Sequence, residues 1–428
     1  MSSTRRNEAT TSHISASGKG KLRGPLAGIR VLDLGRVIAA PYATQMLADY
    51  GAEVIKLERV GSGDDARSMT AGCLLDKDDK KILTETSLLL LGNRSKRSVT
   101  LDLTKLEGQN IIRKLVAVSD VLVENFTPGV MKRFNLDYEA LRLINPRLIY
   151  CSVSGWGQSG PRAHLPGFDP VLQAATGFMS VTGPRDGAPG AGPVRVGASV
   201  VDIAAGMNAA FAVMVALRHR DATGEGQAID VSLYDTGIAL QADNVQKFLL
   251  NGDLIGRNGS EAYGGAPARV FQVMDGELYI MAGVGSQFEG LCRVLNCSEI
   301  TKDERFSTVA SRFQNRDVLF GILQPLLLRW KMRDLAEALD KANVPCSPVN
   351  NYQQVFADPH TTARGIAVHA EHPLSDRLRL IASPMKLSKT PAQYERPPLL
   401  GEHTDAILED LLQMNAAQIA ALRDKGVI

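Results

Sequence analysis

Few side chains in this 428-residue sequence sit where type and spacing suggest chemistry, and the one that draws notice is a carboxylate. The stretch "GASVVDIAAGMNAA" (Gly197 to Ala210) sets Asp202 among small apolar residues, just before an apolar run that extends to Leu217. Asp is a good N-cap acceptor, so on this stretch alone its simplest use is to start a buried helix. Other chemistries find less support. Five cysteines (Cys73, Cys151, Cys292, Cys297, Cys346) include no C-x-x-C pair, and seven histidines include no H-E-x-x-H. No acidic loop has calcium spacing either, so neither a disulfide framework nor a metal site is indicated.

The elements that must position Asp202 belong to a chain of ordinary globular composition, 44% hydrophobic and 22% charged, long enough for two or three domains. A net charge of +2 argues against a nucleic-acid partner. Scattered, odd-numbered cysteines point to a reducing, cytoplasmic setting. Residues 1–23 are polar and Ser/Thr-rich and read as a disordered tail. No apolar run reaches the ~18 residues of a membrane span, so no membrane partner is expected.

From Gly24 onward the pattern is α/β. "GIRVLDLG" and "AEVIKLE" read as buried strands around the helix "APYATQMLADYG", and "SVTLDL", "VLVENF" and "RLIYCSVSGWG" continue the series with helices between. This predicts a Rossmann-like, doubly wound large domain over 24–235. A linker and a smaller α+β domain follow over 236–370, with a hairpin turning at Asp275-Gly276 and one long helix after "AIDVSLYD". A C-terminal segment, 371–428, returns to the large domain. The first turn reads "GRVIAAPYA" where a dinucleotide site requires G-x-G-x-x-G, and Ala-Ala-Pro does not permit that backbone approach to a pyrophosphate.

Several phrases taken together, "GPLAGIRVLDLGRVIAAPYATQMLADYGAEVIKLERVGSGD", "NRSKRSVTLDL", "VLVENFTPGVMKRFNL", "PRLIYCSVSGWGQSGP", "TGEGQAIDVSLYD", "NVPCSPVNN" and "PLLGEHT", resemble the class III CoA-transferases, a family that also holds the α-methylacyl-CoA racemases. The resemblance implies that Asp202, in "VVDIAAG", is a covalent nucleophile working through an acyl-aspartyl anhydride and an aspartyl-CoA thioester. A carboxylate, with a reference pKa near ~3.9, needs no general base for such an attack. It also implies an acyl-CoA substrate with no tightly bound cofactor, a carboxylic acid acceptor, and an interlocked homodimer. Small neighbours, Gly197, Ala198, Ala204 and Gly206, are expected to leave room for the thioester. A glycine loop at Gly264 and Gly265 is expected to cover the site, a plain hairpin approach being the other reading.

The CoA contacts that the resemblance implies are Val37, Ile38 and Ala39 in the first turn, Arg59 after "KLE", Leu101 to Thr104, Asn125, Phe126 and Thr127, Arg133, and the segment Pro166 to Asp169, which contains Phe168 and Asp169. Thr104 and Pro166 stand where a formyl-CoA-type member has lysines, which shifts phosphate pairing to the arginines or to Lys96 and Arg97. The racemase branch needs a His in a G-H-D phrase; here the phrase is "GFD", and Phe168 accepts no proton. His164, four residues away, reads as a loop histidine. This favours acyl-CoA transfer over the alternative, α-proton abstraction. "ERVGSGDDARS" and "NRSKRS" resemble members that move CoA from succinyl-CoA to dicarboxylic acids such as glutarate, malate, itaconate or mesaconate, with formyl-CoA and carnitine-type substrates as alternatives. Arg67, Arg94 and Arg195 are candidate partners for a second carboxylate.

Overall fold

The computed structural model describes residues 24–69 and 72–428, so the expected tail, 1–23, lies outside the described residues. Six strands form one parallel sheet: β1 (Arg30–Asp33), β2 (Glu53–Glu58), β3 (Lys96–Thr100), β4 (Val121–Glu124), β5 (Ile149–Ser154) and β6 (Ala228–Ser232), in the order β3-β2-β1-β4-β5-β6. The chain winds outward from β1 to β3 and then returns to the other side of β1. The switch point therefore lies between β1 and β4, the place where doubly wound sheets bind ligands at their C-terminal edge.

Both faces are covered, which is why the inner strands carry apolar runs such as Val54-Ile55 and Val121-Leu122-Val123. Val31, Val54, Val121, Val123, Ile149 and Cys151 point to one layer, and Leu32, Ile55, Leu122 and Tyr150 to the other. Four helices matter for the site: α1 (Ala39–Ala48), α2 (Leu106–Ala117), α3 (Asp169–Ala175) and α4 (Val200–Thr223). On the first face α1 and α4 meet through Ala40, Ala43, Ala205 and Ala209. Residues this small let the two backbones approach: a Cβ on Gly206 would lie 2.6 Å from the Ala39 carbonyl oxygen and 3.1 Å from Tyr42 Cδ1. Gly206 thus serves helix contact and leaves no room for substrate, contrary to expectation, whereas Gly197 has open space around it. Gly206→Ala is expected to cost about 1–3 kcal/mol of stability in urea unfolding, because the rigid α1 backbone must shift.

On the second face α2 packs with the C-terminal helices Thr404–Leu412 and Ala416–Asp424 through Ile112, Leu115, Ile407, Leu408 and Ile419. The long helix expected after β6 is broken at Leu240 and Gln241 into Leu233–Ala239 and Ala242–Asn251. Gln241 turns inward there, donating from Nε2 to the carbonyls of Thr176 (2.9 Å) and Gly237 (2.8 Å). The expectation of no span-length apolar run fails at α4, which is long and apolar enough by length and composition. Its inner side belongs to the core of this layer, with Val201, Ala205, Ala209, Val213 and Leu217 buried.

The described chain divides into two units. The first runs to Phe178 and takes in Val196–Gly252 and Arg364–Ile428; the second is Met179–Arg195 with Asp253–Ala363. These limits depart from those expected. Residues 236–252 stay with the first unit because Asn208 donates to Thr236 (3.2 Å) and Gly237 sits against Thr176. Residues 364–370 do so because Val368 and Ala370 pack with Leu74 and Leu90. Residues 179–195 join the second unit through Arg185 and Asp317 (2.5 Å) and the backbone pairs Gly259 N–Gly183 O (3.1 Å) and Asp186 N–Arg257 O (3.1 Å).

The second unit is α+β. β7 (Ala268–Val273), β8 (Gly276–Met281) and β9 (Cys346–Pro348) form an antiparallel sheet over a core of Phe271, Leu278, Phe288, Leu319 and Leu335. The hairpin turns at Met274-Asp275, one residue earlier than expected, because Asp275 accepts the Met332 N–H (2.7 Å). Gly265 crosses Gly283 so closely that its Cβ would meet the Gly283 Cα at 3.3 Å, and Gly264 has φ +83° with open space around it. The buried Arg312 fixes this crossing by donating to the carbonyls of Ala266 (3.0 Å) and Gly283 (2.9 Å).

Candidate active site

Asp202 lies in the first turn of α4 and is half-buried. It does not cap its own helix. Ser199 occupies the cap position without a side-chain bond, and the cap comes from α3: Asp169 Oδ2 accepts the N–H groups of Val201 (2.8 Å) and Asp202 (3.2 Å). Asp169 Oδ1 accepts from Gln173 Nε2 (2.6 Å), and Gln173 Oε1 in turn accepts the Val196 N–H (2.8 Å). Asp169, 3% exposed, therefore pins the approach to α4 and the first turn together. The positive helix end that would keep Asp202 ionised already faces a carboxylate. Burial, with the Asp169 charge added, pushes the Asp202 carboxyl up to about 7. That corrects the expectation of an ordinary, fully ionised carboxylate.

One turn further along α4, Gly206 abuts Ala39, so the first turn of the sheet lies next to the helix that carries Asp202. That turn is held rigidly. Asp33 accepts the Gly35 N–H (2.8 Å), Lys56 donates to the Gly35 carbonyl, Asn125 exchanges two bonds of 2.8 Å with the Arg36 backbone, and Asp64 accepts the Val37 N–H (3.0 Å). These contacts hold Val37 at φ +67°, a conformation that a β-branched residue adopts only under constraint. Ile38 then caps α1, and the Arg36 guanidinium lies 4.7 Å from the Phe126 ring centroid. Exposed Arg59 and half-buried Arg36 both reach Asp65. Arg133 is exposed at the end of the short helix Val130–Arg133, four residues past Gly129 in the turn that follows Thr127.

Of the residues singled out in the sequence, Val37, Ile38, Ala39, Arg59, Asn125 and Phe126 are thus gathered around the C-terminal ends of β1, β2 and β4. Leu101 and Thr104 follow β3, the strand next to β2: buried Leu101 donates its N–H to the Glu58 carbonyl (2.8 Å) at the end of β2, and Thr104 closes a turn on Asp102 (2.7 Å). Phe168 is 61% exposed, directly before Asp169, and His164 is exposed as well.

Three basic residues considered as anion partners are structural. Lys96 is buried and bonds Asp33 (2.7 Å), the Pro41 carbonyl (2.9 Å) and Asn93 (3.1 Å). Burial and the neighbouring Lys56 lower its pKa to about 8, with Asp33 opposing. Burial also works against the Lys56 charge, but Asp33, Asp64 and Glu58 outweigh it and hold its pKa above the usual value. Arg67 forks onto Glu58 (2.7 and 2.8 Å), and Arg94 forks onto Asp49 (2.7 and 2.5 Å), all four buried. Arg97 pairs with Glu53 (3.0 Å), and Arg195 lies in the second unit. The residues that sequence reasoning missed are Asp64, Lys56 and Asp33, whose signal was a charge inside each apolar strand and in "GSGDD". Unpaired, such buried charges would be prohibitive, so they had to be partners of one another.

Known proteins show the family. Residues 26–404 match the family profile described as CoA-transferase family III. The chain is 39% identical over 388 residues to the succinate–glutarate CoA-transferase of Agrobacterium fabrum, covering 90% of this chain and 96% of that protein. It is 35% identical over 405 residues to the succinyl-CoA:glutarate CoA-transferase of Mus musculus, covering 94% and 90%. The crystal structure of a CAIB/BAIF family protein from Brucella suis superposes with a TM-score of 0.81 at 36% identity, covering 91% of this chain and 99% of that one. A parallel sheet with its switch point beside a helix-borne carboxylate, and matches spanning nearly the whole chain, lead to one conclusion: the chain belongs to CoA-transferase family III.

Proposed function

We propose that this enzyme moves CoA from succinyl-CoA to a dicarboxylic acid through covalent intermediates on Asp202. The observation that carries the reading is the half-buried Asp202 carboxylate in the first turn of α4, next to the rigid turn at Val37 to Ala39. The ionised carboxylate attacks the thioester carbonyl, giving a mixed anhydride and CoA thiolate. The thiolate attacks the aspartyl carbonyl, leaving an aspartyl-CoA thioester and freeing succinate. The acceptor carboxylate then attacks that thioester, forming a second anhydride and releasing thiolate. Attack of the thiolate on the acceptor carbonyl regenerates Asp202. One thioester is exchanged for another, so no external energy source enters.

The partial burial of Asp202 supports an approach shielded from water, in which anhydrides outlast hydrolysis, and the open space at Gly197 leaves room for the thioester to enter. Val37, Ile38, Ala39, Asn125, Phe126 and Thr127 form the CoA-lining set, with Arg59 and Arg133 for its phosphates. Arg59→Ala is expected to raise the KM for acyl-CoA by about tenfold with kcat little changed, the loss of one exposed charge-assisted contact. The names of the relatives support succinyl-CoA and a dicarboxylate such as glutarate as the pair. The deciding experiment incubates the protein with succinyl-CoA and a panel of acids and follows new CoA thioesters by mass spectrometry. Transfer to none of them would sink the reading.

We also infer a homodimer. In support, α4 exposes Met207, Phe211, Met214 and Val215, a stripe at helical spacing whose Phe211 is 72% exposed. Light scattering that gives a monomer mass would refute it. The five free thiols support a reducing, cytoplasmic setting.

A further inference from the structure

The sheet face away from Asp202 carries a second opening. Beyond the cover of α2, a cavity of about 350 Å³ lies at the ends of β4, β5 and β6, roofed by residues 127–132. That is within the roughly 300–1,000 Å³ typical of small-molecule sites. Its floor is Glu124, Tyr150 and Asp230, and its rim is Asp137, Tyr138 and Lys132.

Charge in this cavity is unbalanced. Glu124 is buried, receives the Phe126 N–H (2.8 Å), and has no cation bonded to it among the described residues. Among the described residues Asp230 accepts only the Gln158 N–H (2.9 Å), and Asp137, at the start of the helix Tyr138–Leu141, makes no capping bond. Glu139 is neutralised by Arg142 (2.7 Å), while Lys132 is exposed and pairs with none of these acids. An independent feature points the same way. Tyr150 is only 4% exposed and lines the cavity, yet its hydroxyl has no hydrogen-bond partner among the described residues. Burial and the charges of Glu124 and Asp137 raise its pKa, so it remains a phenol able to donate or accept. Its ring meets that of Tyr138 edge-on, with centroids 6.2 Å apart, giving the site an aromatic wall.

We propose that this cavity binds a small organic cation, an ammonium or amidinium group carried on a flat apolar body. Carboxylates on the floor and rim supply acceptors for its N–H groups, and the tyrosine faces attract its charge. A metal ion fits less well, since among the described residues no three His, Cys, Asp or Glu side chains converge on one point. Burial pushes Glu124 up to about 7, Ser152 and the Phe126 N–H opposing and Asp230 adding to the rise. A bound cation favours the ionised form, so binding releases a proton near neutrality and weakens as pH falls below 7. Because Glu124 holds the Phe126 N–H, an occupant also bears on the loop assigned above to CoA; that consequence alone rests on the transferase reading.

The test uses benzamidinium and its neutral isostere benzamide, titrated by calorimetry into the full chain without any acyl-CoA, so that its result does not depend on the transfer reaction. At pH 8 benzamidinium is expected to bind one to one, at least about tenfold tighter than benzamide, an increment of one charge-assisted contact. Its affinity should fall at pH 6, and its heat at pH 7 should vary with the ionisation enthalpy of the buffer. Glu124→Gln should erase the preference for the cation. Asp137→Asn, at the rim and independent of core packing, should weaken binding several-fold even if the Glu124 variant fails to fold. Equal binding of the two probes, binding of neither at millimolar concentration, or indifference of benzamidinium to Asp137→Asn would overturn the proposal.

Discussion

Replacing Asp202 with asparagine is expected to lower kcat by about 10⁴-fold or more, while the affinity for acyl-CoA stays within a few-fold of the parent. The substitution is nearly isosteric, and the cap on α4 comes from Asp169, so the first turn keeps its geometry. What disappears is the only atom pair assigned to bond the acyl group, and removal of a covalent nucleophile costs on the order of 10⁴–10⁶ in kcat. Mass spectrometry supplies the complementary result: a CoA adduct on the peptide containing residue 202 in the parent and none in the variant. A variant that retained a tenth of the parent rate would move the nucleophile elsewhere.

The same variant has a stability signature. The Asp202 carboxyl sits at about 7 in the folded chain against an ordinary value of 3.8. A group whose pKa is raised by folding lends stability in its protonated form, which is lost as pH rises through the folded value. Between about pH 4 and 7 the parent is therefore expected to lose stability on this account, with no further loss above 7, and the asparagine variant is not. Thermal scans should show the variant gaining Tm relative to the parent as pH rises from about 4 to 7, the gain then levelling off. A burial that destabilises the resting carboxylate is what a reactive group requires.

Much of the frame was legible in the sequence because its signals are local. Apolar strand runs such as "VLV" in "VLVENF", helices closed by glycine, and the missing second glycine after β1 together predict a doubly wound sheet without a dinucleotide loop. What stayed hidden depends on distant partners. Lys96 and Arg94 read as anion-binding charges until Asp33 and Asp49, 63 and 45 residues away along the chain, appear beside them. Gly206 reads as space for a substrate until Ala39 fills it. The break at Gln241 and the cap on α4 are likewise set by Thr176 and Asp169, on a segment before it in sequence, and no periodicity within either helix encodes them.

Asp169 shows how such a distant partner acts on the chemistry, and Asp169→Asn is the second large effect. Two opposing consequences separate cleanly. Asparagine keeps one carbonyl oxygen for the N–H groups of Val201 and Asp202, but its amide then faces Gln173 Nε2, donor against donor, and loosens the 196–201 approach. A misplaced nucleophile is expected to lower kcat by about 10²-fold. The variant also removes the negative charge that helps lift Asp202 and exposes that carboxylate to the unneutralised helix end. In the parent, kcat/KM should rise with pH to a plateau with a midpoint near 7, the ionisation of the free enzyme's nucleophile. In the variant the midpoint should fall below 7, so that the ratio of rates at pH 6 and pH 8 moves toward one even as both rates drop. Loss of packing alone lowers the whole profile without displacing it. A pH midpoint unchanged in Asp169→Asn would therefore leave α3 as a brace for the helix and remove it from the tuning of Asp202.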